Sequence, residues 1–209
     1  MSTRNEKTCH QNNLLTPDMI QEIIIFTPDL KQRINTNNIY MERIETERLI
    51  IIPLSFEQLI KYMRCDNSLE EELGLGSTSR SISDELKEAL EKAILPNVAD
   101  QSKDYLYSTI WTAISKAENK MVGDISMYGE PNEDREVEIG YGTYNEFQNK
   151  GYMTETVKGM IGWLKTQRKV KKVCASTEKT NVASYRVLKK NGFINVCKTD
   201  NLLKWKLKI

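Results

Sequence analysis

A change of hydrophobic period is the feature that most narrows what this chain can fold into. Residues Val137–Thr143 read as a strand. From near Gly151, by contrast, Met153, Val157, Met160, Ile161 and Leu164 recur at about 3.6 residues, on one face of a helix. The connection is short and ends on a glycine. A strand that feeds a helix in this way gathers unpaired backbone N–H groups and the positive end of a helix dipole at one point. Such a point binds a phosphate. The loop carries neither the G-x-x-x-x-G-K-[ST] of a mononucleotide site nor the spaced glycines of a dinucleotide fold. It is equally an ordinary turn in which Gly151 supplies backbone freedom, and from this segment alone the two readings stand level.

The flanking sequence supplies the other elements. Leu49–Ile52 is an uninterrupted apolar run closed by Pro53, as in a strand covered on both faces. Ser55 caps a helix expected to reach about Cys65. A second helix follows Ser83, with Leu86, Ala89, Leu90, Ala93 and Ile94 at helical spacing and Pro96 expected to end it. Tyr107–Ser115, Met121–Tyr128 and Val137–Thr143 follow at hairpin spacing, as three antiparallel strands. After the long helix come a strand over Lys171–Ser176 and a capped helix over Asn181–Lys190 stopped by Asn191-Gly192. Short strands over Phe193–Cys197 and Leu202–Leu207 close the chain. The order is β-α-α-β-β-β-α-β-α-β-β. Residues 1–41 read as an Asn-, Gln- and Thr-rich arm with one apolar patch, Met19–Phe26, and Met41 is an alternative start. Residues 42–209 form the domain.

Charge and composition exclude several classes. Thirty basic and 29 acidic residues leave a net charge of +1, so no overall field draws the chain to nucleic acid or an anionic membrane. The basic stretch Lys165–Lys172 lacks interleaved aromatics and follows a helix end. Four cysteines without a C-x-x-C pair, and a single histidine, His10, argue against a metal centre. No segment approaches the ~20 apolar residues of a membrane span. A cytoplasmic protein with reduced thiols is expected, as monomer or homodimer, acting on a small or locally recognised substrate.

Three motifs then carry a resemblance. Gln148-x-x-Gly151-x-Met153 resembles the Q/R-x-x-G-x-G/A signature of the GNAT superfamily of N-acetyltransferases. Asn181-Val182-Ala183-Ser184-Tyr185-Arg186-Val187-Leu188-Lys189-Lys190-Asn191-Gly192-Phe193 is similar to its N-x-x-S-x-R-V-L-x-K-x-G-F segment, most closely in the branch that acetylates ribosomal-protein N-termini. Thr46-Glu47-Arg48-Leu49 is similar to that branch's T-x-R-L start. The resemblance spans nearly all of residues 42–209. It implies a mixed α/β fold in which a mostly antiparallel, twisted sheet of about seven strands is flanked by about four helices. It also implies transfer of an acetyl group from acetyl-coenzyme A to a primary amine, on a small molecule or a protein N-terminus, without a metal. Three positions depart from the pattern: Met153 stands for Gly or Ala, Asn149 for a frequent Gly, and Leu188 for a tyrosine that protonates the thiolate in many relatives.

The resemblance also distributes roles. Gln148, Asn149, Lys150, Gly151, Tyr152, Met153 and Thr154 would hold the diphosphate, and the backbone of Tyr141, Gly142 and Thr143 would pair with the pantetheine arm. Asn181 would cap its helix and contact that arm, and Ser184 would hydrogen-bond the thiolate. Glu138 is the candidate general base; its plainer reading is a solvent-facing strand residue paired with Arg135 or a neighbour. Asp66 and Glu70-Glu71-Glu72 could attract a cationic amine, though such a run more often forms a solvated face. A domain that binds acetyl-coenzyme A as a sensor without transferring anything is the competing function.

Overall fold

The computed structural model describes residues 42–209, and the readings made on residues 1–41 lie outside the described residues. Strand β1 (Ile44–Glu45) is two residues long and pairs antiparallel with β2 (Leu49–Pro53). It is too short to carry a sequence pattern. Helix α1 (Phe56–Arg64) opens with a capping box in which Ser55 Oγ accepts from the Gln58 N–H and the Gln58 side chain accepts from the Ser55 N–H. Three more helical pieces follow: α2 (Ser68–Glu72), α3 (Asp84–Ala89) and α4 (Leu95–Ala99).

Pro96 does not end its helix as expected. One π turn, Leu90–Ile94, joins α3 to α4, and the Leu95 N–H reaches back five residues to the Leu90 carbonyl. Pro96 then occupies the first turn of α4, where a missing N–H costs nothing. The expected strand start at Tyr107 is also displaced. Tyr105–Tyr107 form a 3₁₀ turn, and Tyr107 is buried 5.7 Å from the Trp163 ring.

The remaining elements are β3 (Ile110–Ser115), β4 (Lys120–Met127), β5 (Glu136–Thr143), α5 (Tyr152–Thr166), β6 (Lys172–Glu178), α6 (Val182–Lys190), β7 (Ile194–Lys198) and β8 (Leu202–Lys208). They form one eight-stranded sheet in the order β1-β2-β3-β4-β5-β6-β8-β7. Every pairing is antiparallel except that of β5 with β6. Apolar cores fill both faces. One joins Trp111, Val137, Ile139, Val157 and Leu164 beneath α5 and α6; the other joins Leu54, Leu59, Leu90, Ile110 and Met121 beneath α1–α4.

The parallel pairing is brief, and its brevity shapes the molecule. β5 and β6 are in register only from Glu136–Lys172 to Glu138–Cys174. Beyond that point β5 stays with β4 as far as Thr143 and β6 stays with β8 as far as Glu178, so the sheet splits into a V. At its base, Glu136 accepts from Lys172 at 2.8 Å and Lys206 at 2.7 Å, pinning β5 to β6 and β8. Those two ammonium groups hold the Glu136 carboxyl at about 2. Along the inner edge of the V, the backbone of β5 after Glu138 has no strand partner.

Candidate active site

The loop that closes the V presents backbone N–H groups. Asn149 (φ 61°) and Gly151 (φ 81°) are both left-handed, a conformation that glycine adopts freely and asparagine better than most. Asn149 is thus a fitting replacement for glycine there. No side chain caps α5, and the Glu155 N–H is the first to bond back, to the Gly151 carbonyl. The N–H groups of Tyr152, Met153 and Thr154 are left pointing out of the helix. Met153 itself turns inward and is buried. It packs beside Gly123, where a Cβ would lie 2.5 Å from the Gly142 carbonyl oxygen and 3.1 Å from Met153 Cε, so glycine there keeps β4 and β5 close and leaves Met153 its place.

Thr46 and Arg48 hold this loop in place. Thr46 Oγ1 donates to Glu155 Oε1 at 2.7 Å, Arg48 Nε donates to Glu155 Oε2 at 2.6 Å, and Arg48 Nη1 donates to the Lys150 carbonyl at 3.0 Å. Burial pushes the Glu155 carboxyl up, but these hydrogen bonds and the Arg48 charge outweigh it and leave it below the ordinary range. The T-x-R-L start is therefore a brace for the loop.

Two cavities open on opposite faces of the sheet. The first, of about 610 Å³, lies on the α5/α6 side and is lined by Tyr141, Gly142, Thr143, Gln148, Asn149, Gly151, Tyr152, Met153, Thr154, Asn181 and Ser184 among others. Arg186 and Lys190, the arginine and lysine of the N-x-x-S-x-R-V-L-x-K-x-G-F segment, also line it, two cations to which the sequence reading had given no role. Lys150 does not; its ammonium lies 3.5 Å from Glu118 and over the Phe147 ring. Asn181 caps α6 by accepting from the Ser184 N–H at 3.0 Å. Ser184 Oγ donates to Tyr141 Oη at 3.0 Å, and Tyr141 Oη donates to the Ser184 carbonyl at 2.9 Å, a paired link from β5 to α6. Burial pushes the Tyr141 phenol up to about 12, so it keeps its proton at neutral pH. Leu188 is fully buried in the core.

The second cavity, of about 590 Å³, lies beneath α1, α3 and α4. It shares Tyr141, Gly142 and Thr143 with the first. Its wall includes Asp124, which sits opposite Gly142 in the β4–β5 register. Asp124 Oδ2 accepts from Tyr62 Oη and Tyr144 Oη, each at 2.7 Å, while Oδ1 is buried without a partner among the described residues. Burial raises the Asp124 carboxyl, outweighing the hydroxyls of Tyr144, Tyr62 and Thr112 and the charge of Arg80, all of which lower it.

Glu138 is placed differently. It is exposed and accepts from Ser176 Oγ at 2.8 Å, and it lines neither cavity. Arg135 instead donates to the carbonyls of Arg168 and Lys169. The glutamate run divides. Glu70 is buried against Arg80 at 3.1 Å, their side chains 1% and 2% exposed, whereas Glu71 and Glu72 face solvent. The expectation of a uniformly solvated face fails at Glu70 because Arg80, ten residues on, turns in to meet it. Asp66 is exposed and bonded to Ser68. Among the described residues, no group of three His, Cys, Asp or Glu side chains could hold a metal ion, and no helix is long and apolar enough to cross a membrane.

A family model described as acetyltransferase (GNAT) domain matches residues 48–194. The chain belongs to the GNAT acetyltransferase family. Its sequence is 26% identical over 168 residues to the uncharacterized N-acetyltransferase YjdG of Bacillus subtilis (strain 168), covering 79% of this chain and 97% of that protein. Among solved structures, this GNAT domain is similar to a ribosomal-protein-S5-alanine acetyltransferase from Vibrio fischeri, with a TM-score of 0.58 at 17% identity, over 80% of this chain and 96% of that one. It is likewise similar to RimL, a ribosomal L7/L12 alpha-N-protein acetyltransferase in complex with coenzyme A, with a TM-score of 0.58 at 14% identity, over 80% and 98% of the two chains. Those identities speak to the shared fold.

Proposed function

We propose that this acetyltransferase moves the acetyl group of acetyl-coenzyme A onto a primary amine. One observation carries the reading: cavities on opposite faces of the sheet meet at a single stretch of β5 backbone, Tyr141–Thr143. A donor and an acceptor that enter from the two sides converge there. The residues of the α5/α6 cavity fit coenzyme A. Left-handed Asn149 and Gly151 and the uncapped start of α5 form the seat for a diphosphate, with Arg186 and Lys190 adding charge. The unpartnered edge of β5 offers amide and carbonyl groups to the pantetheine arm as an added strand would.

The co-substrate supplies an activated acyl carbon with a thiolate leaving group. The protein positions, polarises and moves protons. An N–H of β5 donates to the acyl oxygen, and the Ser184 hydroxyl turns its proton from Tyr141 Oη to the departing sulfur as the thiolate forms. A carboxylate relieves the acceptor ammonium of a proton, a role for which sequence resemblance suggests Glu138. Of the two structural relatives, RimL is an alpha-N-protein acetyltransferase of ribosomal L7/L12 and the Vibrio fischeri protein a ribosomal-protein-S5-alanine acetyltransferase, two amine-acetylating activities. They support a primary amine as the chemical class.

The experiment has two readouts. Acetyl-coenzyme A should raise the melting temperature, since a ligand at a hundred times its Kd stabilises the native state by about 2.7 kcal/mol. An amine panel should then release free coenzyme A thiol. Absence of any thermal shift at millimolar acetyl-coenzyme A overturns the reading; a shift without thiol release across the panel favours a sensor.

A further inference from the structure

We propose that Asp124 receives the acceptor's ammonium group and accepts its proton, and that the acceptor is a primary amine carried on an apolar body without an anionic group. This rests on reading the cavity beneath α1, α3 and α4 as the acceptor site. The first support is charge. Among the described residues, Asp124 and Glu85 are the only charged side chains lining that cavity, and no basic side chain lines it. The nearby guanidinium, Arg80, is paired with Glu70 at 3.1 Å, and the lowering its charge exerts on Asp124 is outweighed by burial. A carboxylate withdrawn from water, with Tyr62 and Tyr144 on one oxygen and only the neighbouring Thr112 hydroxyl beside the other, calls for a cation or a proton.

The second support is position. Asp124 and Gly142 are cross-strand partners, and their side-chain directions share a face. Because residue 142 has no side chain, and a Cβ built there would meet nothing within 4 Å, the space beside the Asp124 carboxylate is open. The same Gly142 backbone lines the donor cavity. An amine held at Asp124 is therefore about one strand spacing, ~5 Å, from the edge that holds the acyl group. Glu138 and Gly140 lie on this face too, but the Tyr128 ring covers Gly140 and stands between Glu138 and the open space.

The third support is the shape of the rest. Leu86, Ala89, Ala93, Ile94 and Ile110 line the far wall and suit an apolar body. An acceptor bearing a carboxylate or phosphate would lose water there without finding a basic partner. Tyr62 and Tyr144 are positioning residues. Their hydroxyls fix Asp124 Oδ2, and Arg80 in turn donates to the Tyr62 carbonyl at 2.5 Å and lies over the Tyr62 ring.

The proton balance is simple. One proton passes from the ammonium nitrogen to the Asp124 carboxylate and on to solvent. The freed lone pair forms the C–N bond as the C–S bond breaks, and a second N–H proton leaves with the sulfur as thiol. The groups facing Asp124 are Tyr62 from α1, Tyr144 beyond β5, Thr112 from β3 and Arg80 from the segment before α3, with Glu85 of α3 across the cavity.

The test is Asp124→Asn in the full chain, with acetyl-coenzyme A and phenethylamine. We expect the acetyl-coenzyme A thermal shift to persist while kcat/KM for the amine falls ~10²-fold, the usual worth of a general base. The residual rate should follow the free-amine fraction up to the amine's own pKa. A variant within threefold of wild type, with an unchanged pH profile, overturns the assignment. Should the variant not fold, the wild type decides. Phenethylamine should compete at least tenfold better than its alcohol isostere 2-phenylethanol, and equal competition removes Asp124 as the ammonium site. Phenylalanine amide should outpace phenylalanine, whose carboxylate finds no partner, and equal rates overturn the apolar-body claim. If wild type shows no acetyl-coenzyme A shift at all, the transferase reading itself falls.

Discussion

The two cavities use the same stretch of β5 in opposite ways. On the α5/α6 side the recognition groups are backbone: an unpartnered strand edge, two left-handed residues and an uncapped helix start. On the other side they are side chains, with Asp124 from β4 held by Tyr62 from α1 and by Tyr144. Backbone recognition tolerates changes of side chain but not of chain path, whereas side-chain recognition has the reverse sensitivity. That contrast explains how the donor loop accepts Asn149 and Met153 in place of small residues. The first keeps the left-handed turn, and the second points into the core.

The largest effect should come from disturbing the donor path. Gly151→Asp places a Cβ at φ 81°, 3.5 Å from Arg48 Nη2, and a carboxylate beside the diphosphate seat. Left-handed strain of ~1–2 kcal/mol adds to like-charge repulsion, so acetyl-coenzyme A affinity should fall about 100-fold. Calorimetry measures it, and turnover at saturating acetyl-coenzyme A should change little. Unaltered affinity would move the phosphate seat elsewhere and dissolve the contrast.

A smaller and opposite pattern is expected at Gly142. Valine there meets no atom on the protein side and suits a strand, but its methyl groups enter the open space beside Asp124. The amine KM should rise roughly tenfold while the acetyl-coenzyme A thermal shift stays, because the backbone groups of β5 are unchanged. Equal losses on both sides would mean that the cavities do not divide the two substrates. Smaller again is Arg48→Met, which removes the brace on Lys150 and Glu155 without touching either cavity. The Arg48–Glu155 pair is partly exposed, at 44% and 15%, so solvent screening limits its worth to about 1 kcal/mol and the acetyl-coenzyme A Kd should weaken about fivefold. Steady-state KM for the co-substrate reads it.

The same contrast decided what was legible in the sequence. The donor loop could be read because its path is local: the period changes over residues 137–164, a glycine precedes the helix, and Asn181 caps the next one. The hairpin-spaced strands β3–β5 and the capped α1 were equally local. Asp124 was hidden because its partners lie 62 and 20 residues away, and a lone acid within the strand Met121–Tyr128 reads as a solvent-facing position. Its one signal was a carboxylate flanked by residues that pack in the core of a central strand. Glu70 was misread for the same reason, since its burial depends on Arg80 folding back across α2. Pro96 misled in a different way. A π turn changes which carbonyl an N–H reaches, and no residue type announces it.

The smallest expected effect is at Glu138, and it sharpens the comparison most. Sequence resemblance suggests this glutamate for the base, and its position on the same face as Gly140 and Gly142 keeps it in contention. Its carboxylate, however, is exposed, accepts from Ser176, and is separated from the open space by Tyr128. A base must come within hydrogen-bond reach of the proton it takes, directly or through one water. Glu138→Gln keeps the shape and an acceptor for Ser176, so turnover with phenethylamine should stay within about twofold of wild type at neutral pH and above. Measured beside Asp124→Asn across the same pH range, the pair gives a clean outcome. If the loss and its relief at alkaline pH belong to Glu138→Gln instead, the proton leaves through a water chain along the exposed edge of β5, and Asp124 serves only to hold Tyr62 and Tyr144.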